Sequence, residues 1–132
     1  MLLRSEPIHA DLALLILRLG SGGMMLIGHG WPKLAAFGER ADSFADPLGL
    51  GPTISLIMIV IAEVLCSALV MLGLWTRLTV LPLIIGMAVI VFVHLGDADF
   101  GKKELAAVYL VAFLTTFFAG SGRFSVDRIS FR

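Results

Sequence analysis

The sequence predicts an all-α integral membrane protein, a four-helix bundle running up-down-up-down. Three observations carry that expectation. Apolar residues make up 58 % and charged residues 15 % of the chain, against about 45–50 % and about 25 % in soluble domains. Mean hydropathy is +0.98, and 132 residues are too few to hide so much apolar surface in water, because small domains bury the smallest share of their chain. The apolar residues also fall in continuous runs rather than in the short alternating strands of a barrel. Helices satisfy their own backbone groups in lipid without closing a barrel.

A span needs roughly 17–25 mostly apolar residues. The first run covers 12–31. It contains Arg18 and is followed by no small-x-small cleavage site, so it reads as a retained span and not as a signal peptide. The second run covers 53–74 and the third 78–95. The stretch Gly73-Leu-Trp-Thr-Arg77 between them is short enough to force an antiparallel hairpin. The fourth run, 105–120, is short and needs its flanks or local thinning of the bilayer. Pro32 and the Gly38–Pro52 stretch separate the first two runs, and Gly96-Asp-Ala-Asp-Phe-Gly101 the last two. In the loop 32–52, Leu34, Phe37, Ala41 and Phe44 recur at helical spacing, which suits a short interfacial helix; an irregular polar loop is the other reading.

Ten basic and ten acidic residues balance, which leaves no basic surface for nucleic acid. The single cysteine, Cys66, excludes an intrachain disulfide, a CxxC pair and a cysteine-rich zinc site. With four spans the termini share one side. That side holds Arg4, Arg77, Arg123, Arg128 and Arg132, and the other holds Lys33, Arg40, Lys102 and Lys103, so the positive-inside rule places both termini in the cytoplasm.

Two ionisable residues fall inside spans. Arg18 lies about 9 Å deep at 1.5 Å per residue, and Glu63 about 16 Å from the same face. Alone in mid-membrane each costs roughly 2.5–3.5 kcal/mol or more, so an Arg18–Glu63 pair facing the bundle interior is the expected resolution. A pair that only sets helix register, an arginine that snorkels to the surface, and a site that handles protons or a ligand all remain open. His29 and His94 lie toward the opposite face, with Lys33 following span one and Glu104 opening span four. Arg18, Gly22, Met25 and His29 share a stripe, as do Glu63, Cys66 and Ser67, and as do Glu104, Val108, Val111 and Thr115. A polar seam from Arg18 and Glu63 to His29, His94 and Glu104 suits a quinone head group, which asks for one or two hydrogen-bond donors in an apolar cleft. Histidines that only cap helix ends are the alternative. No HExxH-type motif supports a metal or haem. Trp31, Trp75 and Tyr109 include candidate interface anchors.

Several of these residues carry a family resemblance. Arg18-Leu19 with Gly22, His29-Gly30-Trp31 and Lys33-Leu34 resembles the first-span signature of the DoxX family of bacterial membrane proteins. Glu63 followed by Gly73-Leu74 and Thr76-Arg77 resembles the second, and His94 matches a third position. Gly120-Ser-Gly-Arg123 with Ser125 and Asp127 is similar to the closing element, with Ser121 in place of its proline. Val64, Leu65, Cys66 and Ser67 stand where the family often has glycine pairs. The resemblance implies a four-span protein of the bacterial inner membrane, and it carries over Arg18, His29, Lys33, Glu63, Arg77 and His94 by position. The family takes its name from a subunit associated with quinone-linked sulfur oxidation.

Together these readings give an accessory or quinone-interacting subunit of a membrane redox system, meeting the lipid bilayer, redox or membrane protein partners, and further copies of itself. The chain has no haem, flavin or nucleotide motif, so electrons would have to come from a bound cofactor or a partner. No catalytic residue is assigned from sequence. The alternatives are a non-enzymatic assembly partner of a larger complex and, behind it, a transporter of protons or a small solute.

Overall fold

The computed structural model describes residues 5–131. It is all-helical: α1 Ala10–Ala35, a single-turn α2 Phe37–Arg40, α3 Pro52–Leu72, α4 Thr76–His94, α5 Phe100–Ala119 and the short α6 Val126–Ser130. By length and composition, α1, α3 and α4 can each cross a membrane. Helix α5 has 20 residues and carries Lys102, Lys103 and Glu104 in its first turns. α1 packs against α3 and α5, and α4 against the same two. The shared core is Met25, Ala62, Cys66, Val70, Val80, Leu83, Met87, Tyr109 and Phe113. The outward faces are large and apolar, as in Ile16, Ile27, Ile85 and Phe118, and burying them in lipid is the simplest way to remove them from water.

Each of the three membrane-length helices contains a widened π-helical segment: Leu26–Gly30 in α1, Ile61–Cys66 in α3 and Ile90–His94 in α4. The first explains why α1 runs through Pro32, where the sequence suggested a break. A proline removes one backbone donor and crowds the preceding turn, and the wider turn before it relieves both demands. The 32–52 stretch therefore divides. Its start prolongs α1, Phe37–Arg40 forms one turn, and the remainder is loop. Asp46 organises that loop. Its carboxylate accepts from the Ser55 hydroxyl and from the amides of Leu50 and Gly51. These bonds, the Ser55 bond foremost, hold its carboxyl below the usual aspartate range.

One end of the assembly is built from helix termini. Gly73, at φ 69°, ends α3, with its amide bonded to the Val70 carbonyl and that of Leu74 to the Leu69 carbonyl. This is the left-handed glycine stop that satisfies last-turn carbonyls. Trp75 is the lone non-glycine at positive φ among the described residues, at 49°. The Asp127 carboxylate holds it there, accepting from the Trp75 amide, the Thr76 amide and the Thr76 hydroxyl. Those amides are the unsatisfied donors that open α4. Asp127 in turn donates its own amide to the Gly73 carbonyl. The chain reaches this position by turning through Gly120 and Gly122, both at positive φ, and Ser125 caps α6 by accepting from the Arg128 amide.

Helices α1 and α3 are antiparallel, and glycines set their distance. A Cβ on Gly22 would stand 2.8 Å from Met71 Cγ, and one on Gly30 would stand 2.7 Å from the Glu63 carbonyl oxygen. Gly22 thus lies opposite Met71 and Gly30 opposite Glu63. Gly30→Ala should force the helices apart and lower stability by about 1–3 kcal/mol, the usual cost of overpacking. Gly20→Ala, where nothing stands within 4 Å of the added carbon, should leave the melting temperature in detergent unchanged or slightly higher. Equal melting of the two variants would contradict the close approach.

Candidate functional site

The predicted Arg18–Glu63 pair does not form. Arg18 is buried, and its guanidinium donates to the carbonyls of Val70 (3.2 Å), Met71 (3.0 Å) and Phe124. It closes the C-terminus of α3 and ties the 120–124 turn to α1. Asp127 is near enough to add favourable electrostatics. The helix register is the reason for the correction. With Gly22 opposite Met71, Arg18 faces the end of α3, while Glu63 lies two turns farther along it. Depths counted from hydropathy boundaries assume that spans start flush. Here the first two turns of α1 overhang the end of α3 and pack on the C-terminal segment, where the Asp11 carboxylate accepts from the Arg123 amide.

Glu63 pairs with Lys33 instead, at 2.8 Å, in the one ion pair among the described residues. The Glu63 side chain is 2 % exposed and that of Lys33 17 %. Lys33 also donates to the His29 carbonyl at 3.3 Å. The His29 ring meets Tyr109 edge-on with centroids 5.5 Å apart, and Tyr109 stacks on Phe113 at 5.9 Å. His29 and Tyr109 both lie within Coulombic reach of Glu63. Three helices therefore bring a carboxylate, an ammonium, an imidazole and a phenol to one place against an apolar core. Next to it on α3, one turn from Glu63, the Ser67 hydroxyl is fully buried without a hydrogen-bond partner.

The remaining candidates lie elsewhere. The Arg77 side chain is exposed and donates to the Phe117 carbonyl at 3.1 Å, closing the end of α5 as Arg18 closes α3. His94 and Glu104 are exposed and make no hydrogen bond, ion pair or ring contact with His29 or Glu63 among the described residues. Of the expected seam only His29 and Glu63 stay together, and Lys33 joins them. The stripe chosen on the last helix faces outward at Val108, Val111 and Thr115, whereas Tyr109, Phe113 and Thr116 face inward. Of the three aromatic residues that offered interface anchors, Tyr109 is instead buried in the core. The 109, 113, 116 spacing, with two aromatic rings, is the signal that could have found it.

A family model described as DoxX matches residues 13–95, covering α1, α3 and α4 nearly entire. No curated protein and no solved structure matches the chain.

Breaking a buried ion pair by removing one partner typically costs about 3–5 kcal/mol, and the two partners here should not be equivalent. Lys33→Met strands a carboxylate that water cannot reach. Glu63→Gln strands an ammonium that can extend toward the surface. The first should lower the detergent melting temperature more than the second, and Lys33→Met with Glu63→Leu should regain most of the loss. The same measurement on Arg18→Met should show a fall at least as large, since it strips donors from three carbonyls at about 1.5–3 kcal/mol per charged hydrogen bond. A melting temperature unmoved by Arg18→Met would contradict its place in the fold.

Proposed function

The chain belongs to the DoxX family and is an integral membrane protein, and on that premise we propose that it acts as a quinone-interacting accessory subunit of a membrane redox system. In this reading α5 is the fourth span. Its 20 residues measure about 30 Å, and Lys102, Lys103 and Glu104 stand at the head-group level. The bundle runs up-down-up-down in a bacterial inner membrane with both termini in the cytoplasm. Arg77, Arg123 and Arg128 lie on that side; Arg4 and Arg132, which also entered the charge count, fall outside the described residues. Lys33, Arg40, Lys102 and Lys103 lie on the other side.

The observation that carries the proposal is the meeting of Glu63, Lys33, His29 and Tyr109 in apolar surroundings. The donor set fits a quinone head group. An imidazole and a phenol donate to carbonyl oxygens, and the neighbouring ion pair can take up or release a proton where water is scarce. A bound quinone supplies two-electron, two-proton chemistry, with electrons drawn from a partner. His29 and Tyr109 orient the head group, and Glu63 and Lys33 hold the proton inventory beside it. His29 lies in one π segment and Glu63 in another, the kind of irregularity that often marks functional sites.

Titration of a short-chain quinone into the detergent-purified protein, followed by tryptophan fluorescence, should give saturable quenching. Tyr109→Phe and His29→Gln should each weaken binding by about 5–10-fold, the value of one lost hydrogen bond of about 1–1.4 kcal/mol, with unchanged melting temperature. An absence of binding, or binding indifferent to both substitutions, would overturn the reading. A second reading, an assembly partner without chemistry of its own, draws support from the Lys33–Glu63 pair being complete in itself. Stable co-purification with a larger membrane complex, together with no quinone response, would favour it.

A further inference from the structure

At the end of the molecule opposite Glu63 a groove of about 520 Å³ opens between the start of α1 and the C-terminal segment, lined by His9, Asp11, Arg123, Phe124, Arg128 and Ile129. That volume lies within the range of about 300–1,000 Å³ common for ligand sites. We propose that this groove binds the head group of an anionic phospholipid from the leaflet on the side of the chain termini.

Charge comes first. The Arg123 and Arg128 side chains are exposed and enter no hydrogen bond or ion pair among the described residues. The one acid in the groove, Asp11, is engaged by the Arg123 backbone amide at 2.9 Å. The other acid on α6, Asp127, is committed to the opening of α4. Two guanidiniums thus face a single carboxylate, an excess of positive charge that suits a phosphodiester; arginine forks match phosphate oxygens in pairs.

Shape separates a lipid from a free anion. Phe124 and Ile129 line the same groove and stand 50 % and 79 % exposed. Free phosphate gives such side chains nothing to cover. A lipid does, because its glycerol and upper acyl carbons lie beside its phosphate. His9 stacks on Phe124 with centroids 6.3 Å apart, which keeps that ring in place next to the basic groups. Basic pockets at the ends of membrane helices, rimmed by apolar groups, hold anionic head groups by this combination.

The test uses the full chain in lipid-free detergent, with four probes added in turn: phosphatidylglycerol, phosphatidylethanolamine, phosphatidylcholine and inorganic phosphate. Binding is followed by melting temperature and by lipid retention in native mass spectrometry. Phosphatidylglycerol should raise the melting temperature and be retained, and the other three should do neither. Arg123→Gln with Arg128→Gln should weaken the phosphatidylglycerol response about 30-fold, from roughly fivefold per arginine near an anionic surface. The unliganded double variant should melt like the parent, since neither side chain holds the fold. If it fails to fold, Arg128→Gln alone should show the fivefold loss. Equal responses to phosphatidylcholine or phosphatidylethanolamine, a full response to inorganic phosphate, or a phosphatidylglycerol response untouched by these substitutions would each overturn the proposal.

Discussion

The structure depends on one buried guanidinium. A helix that ends within a bundle leaves its last carbonyls without donors, and in a membrane water is a poor substitute. Arg18 supplies those donors to α3 from a neighbouring helix and, with the same group, holds the Phe124 carbonyl. One side chain thus joins α1, the α3–α4 turn and the C-terminal segment. It also sets the register. Once Arg18 is committed to Val70 and Met71, Gly22 meets Met71, Gly30 meets Glu63, and Lys33 comes level with the Glu63 carboxylate.

That register gives the two ends of the molecule different work. At one end, Arg18, Arg77, Ser125 and Asp127 satisfy helix termini, and those four side chains are consumed by the fold. Toward the other end the polar groups face one another. Glu63 and Lys33 neutralise each other, and His29 and Tyr109 meet ring to ring. The widened turns that hold His29 and Glu63 lie on the two helices that meet at Gly30, where a side chain would collide with the Glu63 backbone. The glycine is what allows the irregular turns to approach so closely.

Much of this was legible in residue order. Continuous apolar runs marked the helices, because a backbone in lipid has few other ways to satisfy itself. The short Gly73–Arg77 connection marked the hairpin. The inward stripes of Arg18, Gly22 and Met25, and of Glu63, Cys66 and Ser67, are buried as helical spacing requires. Boundaries were harder. Hydropathy ended the first span at Trp31, but the helix tolerates Pro32 because the π segment before it absorbs the missing donor, and hydropathy carries no sign of a widened turn. Two faces of α5 are similarly apolar, so hydropathy does not say that Tyr109 turns inward; only the aromatic spacing to Phe113 hints at it.

By itself, the sequence determined that the chain is helical and membrane-embedded, and that Arg18 and Glu63, inside spans, need a partner or a way to the surface, because unpaired charge in lipid is costly to leave. Which partners they find was decided only by tertiary structure. Pairing depends on the offset between helices, and that offset comes from backbone contacts at Gly22 and Gly30 and from carbonyls at a helix end. None of these carries charge or hydropathy. Counting depth along separate spans placed Arg18 near Glu63; the overhang of α1 by about two turns moved Lys33 there instead, and left Arg18 to close the end of α3.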